Sequence, residues 1–274
     1  MESYASAVDA RPIGMFDSGF GGLTVARAVI DLLPGEDLVY IGDTGRYPYG
    51  SRPLSQVKAY AEQITRHLVD ECGVKMVVVA CNTATAAALD HLRDVVDVPV
   101  LGVIEPGVRS LVSASDTGRV GVIATVGTVG SGAYQHAVEA LDPSIRLTCA
   151  ACPGFVEFVE RGETDSDQAR VLAERLLAPV RDAKVDALLL GCTHYPFLAR
   201  TISDAVGRDV TLVSSADETG FEIRHLLDGG ALAAPLRDRP SIHRFLSTGD
   251  VEWFRDLGRR LLGPEILHVE PVRL

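Results

Sequence analysis

The sequence predicts an α/β fold built from two similar α/β domains with mainly parallel sheets related by a pseudo-twofold symmetry. Short β-branched runs alternate with Ala/Leu/Arg-rich stretches of helical period, the pattern of parallel strands joined by crossover helices. A segment containing a cysteine recurs in the second half of the chain, and 274 residues are enough for one large or two small domains.

The elements follow from those patterns in order. An apolar run at 13–16 reads as the first strand, and the periodic stretch 24–33 as the first helix. Strand 38–42 and helix 54–71 come next, then the β-branched run 76–80 and helix 85–95. Strands at 100–103 and 120–124 lead to helix 130–141 and strand 147–150. Helix 168–180, strand 187–190, helix 196–206 and strand 211–213 follow, and strand 244–247, helix 251–262 and strand 267–269 close the chain.

The repeat gives the domain organisation. Val74-Lys-Met-Val-Val-Val-Ala-Cys81-Asn-Thr matches Val185-Asp-Ala-Leu-Leu-Leu-Gly-Cys192-Thr-His at an offset of 111 residues. A weaker copy pairs Ile13-Gly-Met-Phe-Asp17-Ser18 with Val120-Gly-Val-Ile-Ala124-Thr125 at an offset of 107. Strand endings therefore recur together with the cysteine. The expected division is 1–104 with 215–274 as a first, discontinuous domain and 105–214 as a second. Pro106 and Gly107 interrupt the pattern at the first crossing, and the return falls near Ser214 to Ala216.

Composition narrows the function. The 26 basic and 37 acidic side chains give a net charge of −11, which excludes a generic nucleic-acid binder, because Lys and Arg dominate affinity for phosphates. No apolar run approaches the roughly 20 residues needed to cross a bilayer, so no membrane association is expected. Residues 1–11 lack a basic region and an apolar core, so they read as a frayed tail and not a signal peptide. Five cysteines, an odd number at modest density, argue against a disulfide framework and for a reducing cytoplasm.

In open parallel sheets ligands bind beyond the carboxyl ends of the strands, where loops and helix N-termini converge. Cys81 and Cys192 each follow such a strand, and short hydroxyl or amide residues come next, Asn82-Thr83 and Thr193-His194. Backbone N–H groups at a helix start lower a thiol's pKa. One cysteine there reads as a small buried hydrophobe; two in matching repeats read as a pair of bases. Paired bases suit a reaction in which a proton leaves one face of a carbon and returns to the other, which is racemisation.

Four segments then carry a resemblance: Ile13-Gly-Met-Phe-Asp17-Ser18-Gly-Phe-Gly-Gly-Leu-Thr, Gly42-Asp-Thr-Gly-Arg-Tyr-Pro48-Tyr49-Gly50, Ala80-Cys81-Asn82-Thr83-Ala and Gly191-Cys192-Thr193-His194-Tyr-Pro. In this order they resemble the glutamate racemases of the cofactor-independent aspartate/glutamate racemase superfamily, over nearly the whole chain after about Arg11. The resemblance implies interconversion of L- and D-glutamate for peptidoglycan, without cofactor or metal, in a site between the two domains. It implies Cys81 as the base for D-glutamate and Cys192 as the base for L-glutamate, with Asp17 and His194 as helpers and Glu160 as a further carboxylate. Substrate contacts map onto Asp17, Ser18, Tyr49, Gly50, Asn82, Thr83, Thr125 and Thr193. A homodimer is implied as well, and an interaction with DNA gyrase.

Each helper has a structural alternative. Asp17 precedes a Gly-rich turn and suits an Asx turn; His194 beside Pro196 suits a satisfied core histidine; Glu160 beside Arg161 suits a solvated helix position. Gly19 to Gly22 lacks the spacing of a dinucleotide fingerprint, and no phosphate loop is present. A pyridoxal-phosphate racemase would need a lysine at the site. Of the three lysines, Lys75 and Lys184 fall at strand starts and Lys58 on a surface helix. Cys149-Ala-Ala-Cys152 lacks the partners of a zinc site, and Pro153-Gly154 follow where a redox dithiol would open a helix, so core or loop packing is expected, as for Cys72. An aspartate racemase, a one-cysteine decarboxylase and a regulatory binding protein are the competing functions.

Overall fold

Strand β1 (Ile13–Asp17) is buried along its whole length, the pattern of a strand covered on both faces. The computed structural model describes residues 8–229, 232–235, 239–261, 263 and 265–274. Of the tail read at 1–11, residues 1–7 lie outside the described residues, as does the expected helix end at Leu262; Asp9 is not frayed, since its N–H donates to the Ala233 carbonyl at 3.0 Å and its carbonyl accepts from Lys75. After β1 come α1 (Leu23–Leu32), β2 (Leu38–Gly42), α2 (Leu54–Arg66), β3 (Met76–Val79), α3 (Asn82–Val95), β4 (Val100–Gly102) and α4 (Ile104–Ser113). The chain continues through β5 (Arg119–Ala124), α5 (Val126–Gly130), α6 (Ala133–Leu141), β6 (Arg146–Ala151), α7 (Phe155–Arg161), α8 (Asp167–Leu176), α9 (Ala178–Asp182) and β7 (Ala187–Gly191). The last elements are α10 (Ala199–Val206), β8 (Thr211–Val213), α11 (Ser215–Gly229), β9 (His243–Ser247), α12 (Val251–Leu261) and β10 (Val269–Pro271).

Two parallel sheets result, one of six strands ordered β10-β9-β2-β1-β3-β4 and one of four ordered β6-β5-β7-β8. With β1 matched to β5 and β3 to β7, as the repeat pairs them, β2-β1-β3-β4 has the same order as β6-β5-β7-β8. The two α/β domains are thus built alike, and β9 and β10 extend the first sheet beyond β2. Alternate residues of its strands serve opposite faces. Ile13, Met15, Tyr40 and Val78 enter one core and Phe16, Ile41, Val77 and Val79 the other, as a period of two requires. The second sheet has a core on each side in the same way.

Several elements differ from expectation for local reasons. Pro106 and Gly107 do not break the chain but lie in the first turn of α4, where proline costs no helical hydrogen bond. The return near 214–216 is the start of α11, which buries Ile223 and Leu227 and packs against α1 and α4. Helix 130–141 is split by Gly132, whose φ of 75° is left-handed, a conformation glycine adopts without penalty. Helix 168–180 is divided into α8 and α9, helix 54–71 ends in a π-helical turn over His67–Glu71, and 196–206 begins as a 3-10 turn, Tyr195–Leu198. Strand β10 lies two residues later than the expected 267–269.

At the end of β3 remote from Cys81, Lys75 is fully buried and pairs with Glu36 at 2.5 Å. Its ammonium also donates to the carbonyls of Asp9 and Leu232. Among the described residues, no helix is long and apolar enough to cross a membrane.

Candidate active site

Parallel register brings the strand ends level. Phe16 lies beside Val79 in the first sheet, and Ala124 beside Gly191 in the second. The residues that follow, Ser18 after β1, Cys81 to Thr83 at the start of α3, Thr125 before α5, and Cys192 to His194 after β7, meet around one cavity of about 100 Å³, with Asp17 at the end of β1 just behind Ser18. Tyr47, Tyr49, Gly50, Cys152 and Glu157 complete much of its wall. A larger groove of about 690 Å³, walled by Lys58, His91, Arg109 and His136 among others, holds none of the sequence-predicted site residues.

Both thiols face the cavity nearly sealed from solvent, Cys81 at 5% and Cys192 at 7% exposure. Cys81 Sγ is 3.8 Å from Ser18 Oγ, and Cys192 Sγ is 3.9 Å from His194 Nδ1. The lowered pKa expected at a helix start is not what the environment produces. Burial, with Asp17 adding to it, pushes the Cys81 thiol up to about 12, against smaller opposing effects from the N–H groups of Ala84 and Ser18. Burial also pushes Cys192 up, and Cys81 and Asp17 lie close enough to add to the effect. Desolvation outweighs the local donors, so this environment favours the thiol form of both groups at neutral pH.

Asp17 makes the Asx turn expected of it. Its Oδ1 accepts the Gly19 N–H at 2.8 Å, the Asx-turn geometry, while Oδ2 accepts from the Thr193 hydroxyl at 3.4 Å across the two domains. Burial raises its pKa, with His194 acting in the opposite direction. His194 is buried against the rings of Phe20 and Tyr47. Its Nε2 lies 3.6 Å from Glu160 Oε1, and neither atom has a hydrogen-bond partner among the described residues. Glu160 therefore stands behind His194 and does not line the cavity.

The substrate-contact set divides by what each group has free. The Tyr49 hydroxyl is committed to the Asp43 carboxylate. The Gly50 carbonyl accepts from Gly127 N at 3.0 Å, and a Cβ on Gly50 would fall 2.6 Å from the Thr125 side chain, so the two domains meet there through glycine. The hydroxyls of Thr83, Thr125 and Thr128 form a triangle with sides of 3.0 to 3.1 Å. Asn82 Oδ1 accepts from Tyr134, whereas its Nδ2 is buried with no partner among the described residues.

All the sequence-predicted residues except Glu160 are thus at or immediately behind the cavity wall, and Glu160 joins through His194. Missed were Asp43, Thr128, Tyr134 and Cys152. Asp43 lies in one of the four quoted segments; Tyr134 reaches the site only through tertiary packing and leaves no local signal. Cys152 is buried as expected, but on the cavity wall, and its carbonyl accepts from Tyr195 at 3.0 Å. Among the described residues no group of three or more His, Cys, Asp or Glu is arranged to hold a metal.

The model of the Asp/Glu/hydantoin racemase family matches residues 23–219. The glutamate racemase of Acidothermus cellulolyticus is 52% identical over 258 residues, covering 94% of this chain and 97% of that one. Among solved structures, a glutamate racemase isoform of Bacillus anthracis superposes with a TM-score of 0.90 at 39% identity, over 96% of this chain and 98% of that one. The glutamate racemase of Francisella tularensis, solved in complex with D-glutamate, gives a TM-score of 0.89 at 34% identity, over 97% and 98%.

Proposed function

Because the chain belongs to the Asp/Glu/hydantoin racemase family, among its glutamate racemases, we infer that it interconverts L- and D-glutamate and so supplies the D-enantiomer for peptidoglycan. It is a cofactor-independent amino-acid racemase that works by a two-base mechanism. The observation that carries the mechanism is the pair of buried thiols at equivalent strand ends of two like domains, facing one cavity.

In the proposed reaction Cys81 as thiolate removes the α-proton of D-glutamate, forming S–H as C–H breaks. Cys192 as thiol then delivers its proton to the opposite face and is left as thiolate. L-glutamate reverses the roles. The charge released at the α-carbon spreads into the α-carboxylate, where hydroxyl and N–H donors stabilise it. Asn82 Nδ2, the Thr83 and Thr125 hydroxyls, Ser18 and the main chain at Tyr49, Gly50 and Thr193 are the donors we assign to the two carboxylates. Burial favours the neutral thiols; the substrate's ammonium supplies the positive charge that favours a thiolate. We assign Asp17 as the helper of Cys81 and His194, backed by Glu160, as the helper of Cys192.

The proposed domain division places 1–104 and 215–274 around the six-stranded sheet and 105–214 around the four-stranded one, in keeping with which strands pair. A cytoplasmic homodimer is the proposed setting, to be checked by sedimentation of the purified chain. The activity itself is tested by incubating each enantiomer in deuterated water, following optical rotation and α-deuterium together. Loss of rotation with deuterium uptake from both enantiomers is expected. Exchange of aspartate but not glutamate would keep the mechanism and overturn the substrate.

A further inference from the structure

We propose that Tyr134 is a positioning residue: its hydroxyl fixes the Asn82 side-chain amide with the NH2 group turned toward a carboxylate of the substrate. The inference rests on the glutamate reading and deepens it. Asn82 opens α3 directly after Cys81, lines the cavity and is 3% exposed. Tyr134 comes from α6 in the other domain and is 1% exposed, with its hydroxyl 2.6 Å from Asn82 Oδ1.

An amide rotated by half a turn would look alike in shape but not in hydrogen bonding. A buried phenol proton needs an acceptor, and the amide oxygen is the acceptor in reach. Burial also raises the Tyr134 pKa, so the hydroxyl keeps its proton throughout the neutral range. With the amide oxygen engaged, Nδ2 is left buried and without a partner among the described residues. Buried donors are satisfied in nearly all native structures, and an anionic ligand in the adjoining cavity would satisfy this one. The opposite rotamer would set an amide oxygen against a carboxylate, acceptor against acceptor, and leave the phenol proton unbonded.

The ring is itself held in place. Gly191, immediately before Cys192, lies so close that a Cβ there would come 3.0 Å from the Tyr134 Cε2 and hydroxyl. The strand that carries one thiol thus seats the tyrosine that aims the neighbour of the other. The bond crosses from one domain to the other, so the alignment of the amide depends on how the two pack together.

The test is a double-mutant cycle on the full-length enzyme, with Tyr134→Phe, Asn82→Ala and the pair assayed on both enantiomers. Tyr134→Phe should raise KM about tenfold, the effect of one lost hydrogen bond to a charged group, with a smaller change in kcat. In the Asn82→Ala background the same substitution should change KM no further. An undiminished effect there would mean that the ring acts through packing and would overturn the proposal. Asn82→Asp gives a second arm that leaves Tyr134 intact, since it keeps an acceptor for the phenol but replaces the NH2 by oxygen. Its KM should exceed that of Asn82→Ala, and an equal or lower value would overturn the proposal. Wild-type enzyme inert toward glutamate would overturn the underlying reading together with this one; active wild type with additive substitutions would overturn this one alone.

Discussion

The hydroxyl of Tyr49 donates to the buried carboxylate of Asp43, so the phenol is spent inside the protein and not on a ligand. Asp43 also accepts from Arg46 Nε, at 2.8 and 3.0 Å, and from Thr248 Oγ1 at 2.6 Å. One fully buried carboxylate therefore ties the Gly42 to Gly50 turn to the end of β9. Asp43→Ala should lower stability by about 3–5 kcal/mol, as for one member of a buried ion pair, and raise KM. Urea unfolding and steady-state kinetics check the two effects separately.

Single substitutions at the thiols should separate exchange from racemisation. In Cys192→Ala the remaining base can remove the α-proton of D-glutamate and return it only to the same face. NMR should show α-deuterium entering D-glutamate with rotation unchanged, and L-glutamate inert. Cys81→Ala should show the mirror pattern. Net racemisation should fall at least 10²-fold in both, the lower range for loss of a general acid or base.

The buried thiols also make stability depend on pH. An unfolded Cys81 loses its proton near its ordinary value of 9.0, whereas the folded one holds it to about 12. Ionisation therefore favours the unfolded chain. The stabilising contribution is complete below about pH 9 and is lost as pH rises toward 12. At about 1.4 kcal/mol per pH unit in that window, Cys81→Ala should remove about 2 kcal/mol of the stability loss between pH 8 and roughly pH 10.5, measured by chemical denaturation. An unchanged slope would mean that this thiol is not desolvated.

Lys75→Met should cost about 3–5 kcal/mol by leaving Glu36 buried without its cation, while kcat stays the same because the pair lies at the far end of the sheet. Adding Glu36→Leu should recover most of the loss. Thermal melting of the two variants is sufficient.

The sequence carried the sheets and the two thiols because both are local: strand runs, a repeated ending and a cysteine at a fixed step beyond it. Cys81 and Cys192 could be matched before any geometry was known. Helices α4 and α11 were hidden, since Pro106 and Gly107 look like a break until the proline is seen in the first turn, where no hydrogen bond is lost. Thiol acidity is likewise set by packing and not by local sequence. The helix start is written in the sequence, but the 5% and 7% exposure that outweighs it is a property of two domains closed on each other. Tyr134 and Asn82 are 52 residues apart, and nothing along the chain announces their meeting.

The sealing of the two thiols gives the catalyst a memory. Under the proposed chemistry each conversion of L- to D-glutamate leaves the proton on Cys192 and the negative charge on Cys81, the form fitted to act next on D-glutamate and not on another L-glutamate. Resetting requires a proton to travel from one sulfur to the other by way of solvent, and at 5% and 7% exposure little water reaches either. At saturating substrate the shuttle between these two ionic isomers, and not bond breaking at carbon, then becomes the slow step. Its signature is a rate that levels off with substrate of one hand alone and declines when the concentrations of both hands are raised together at a fixed ratio.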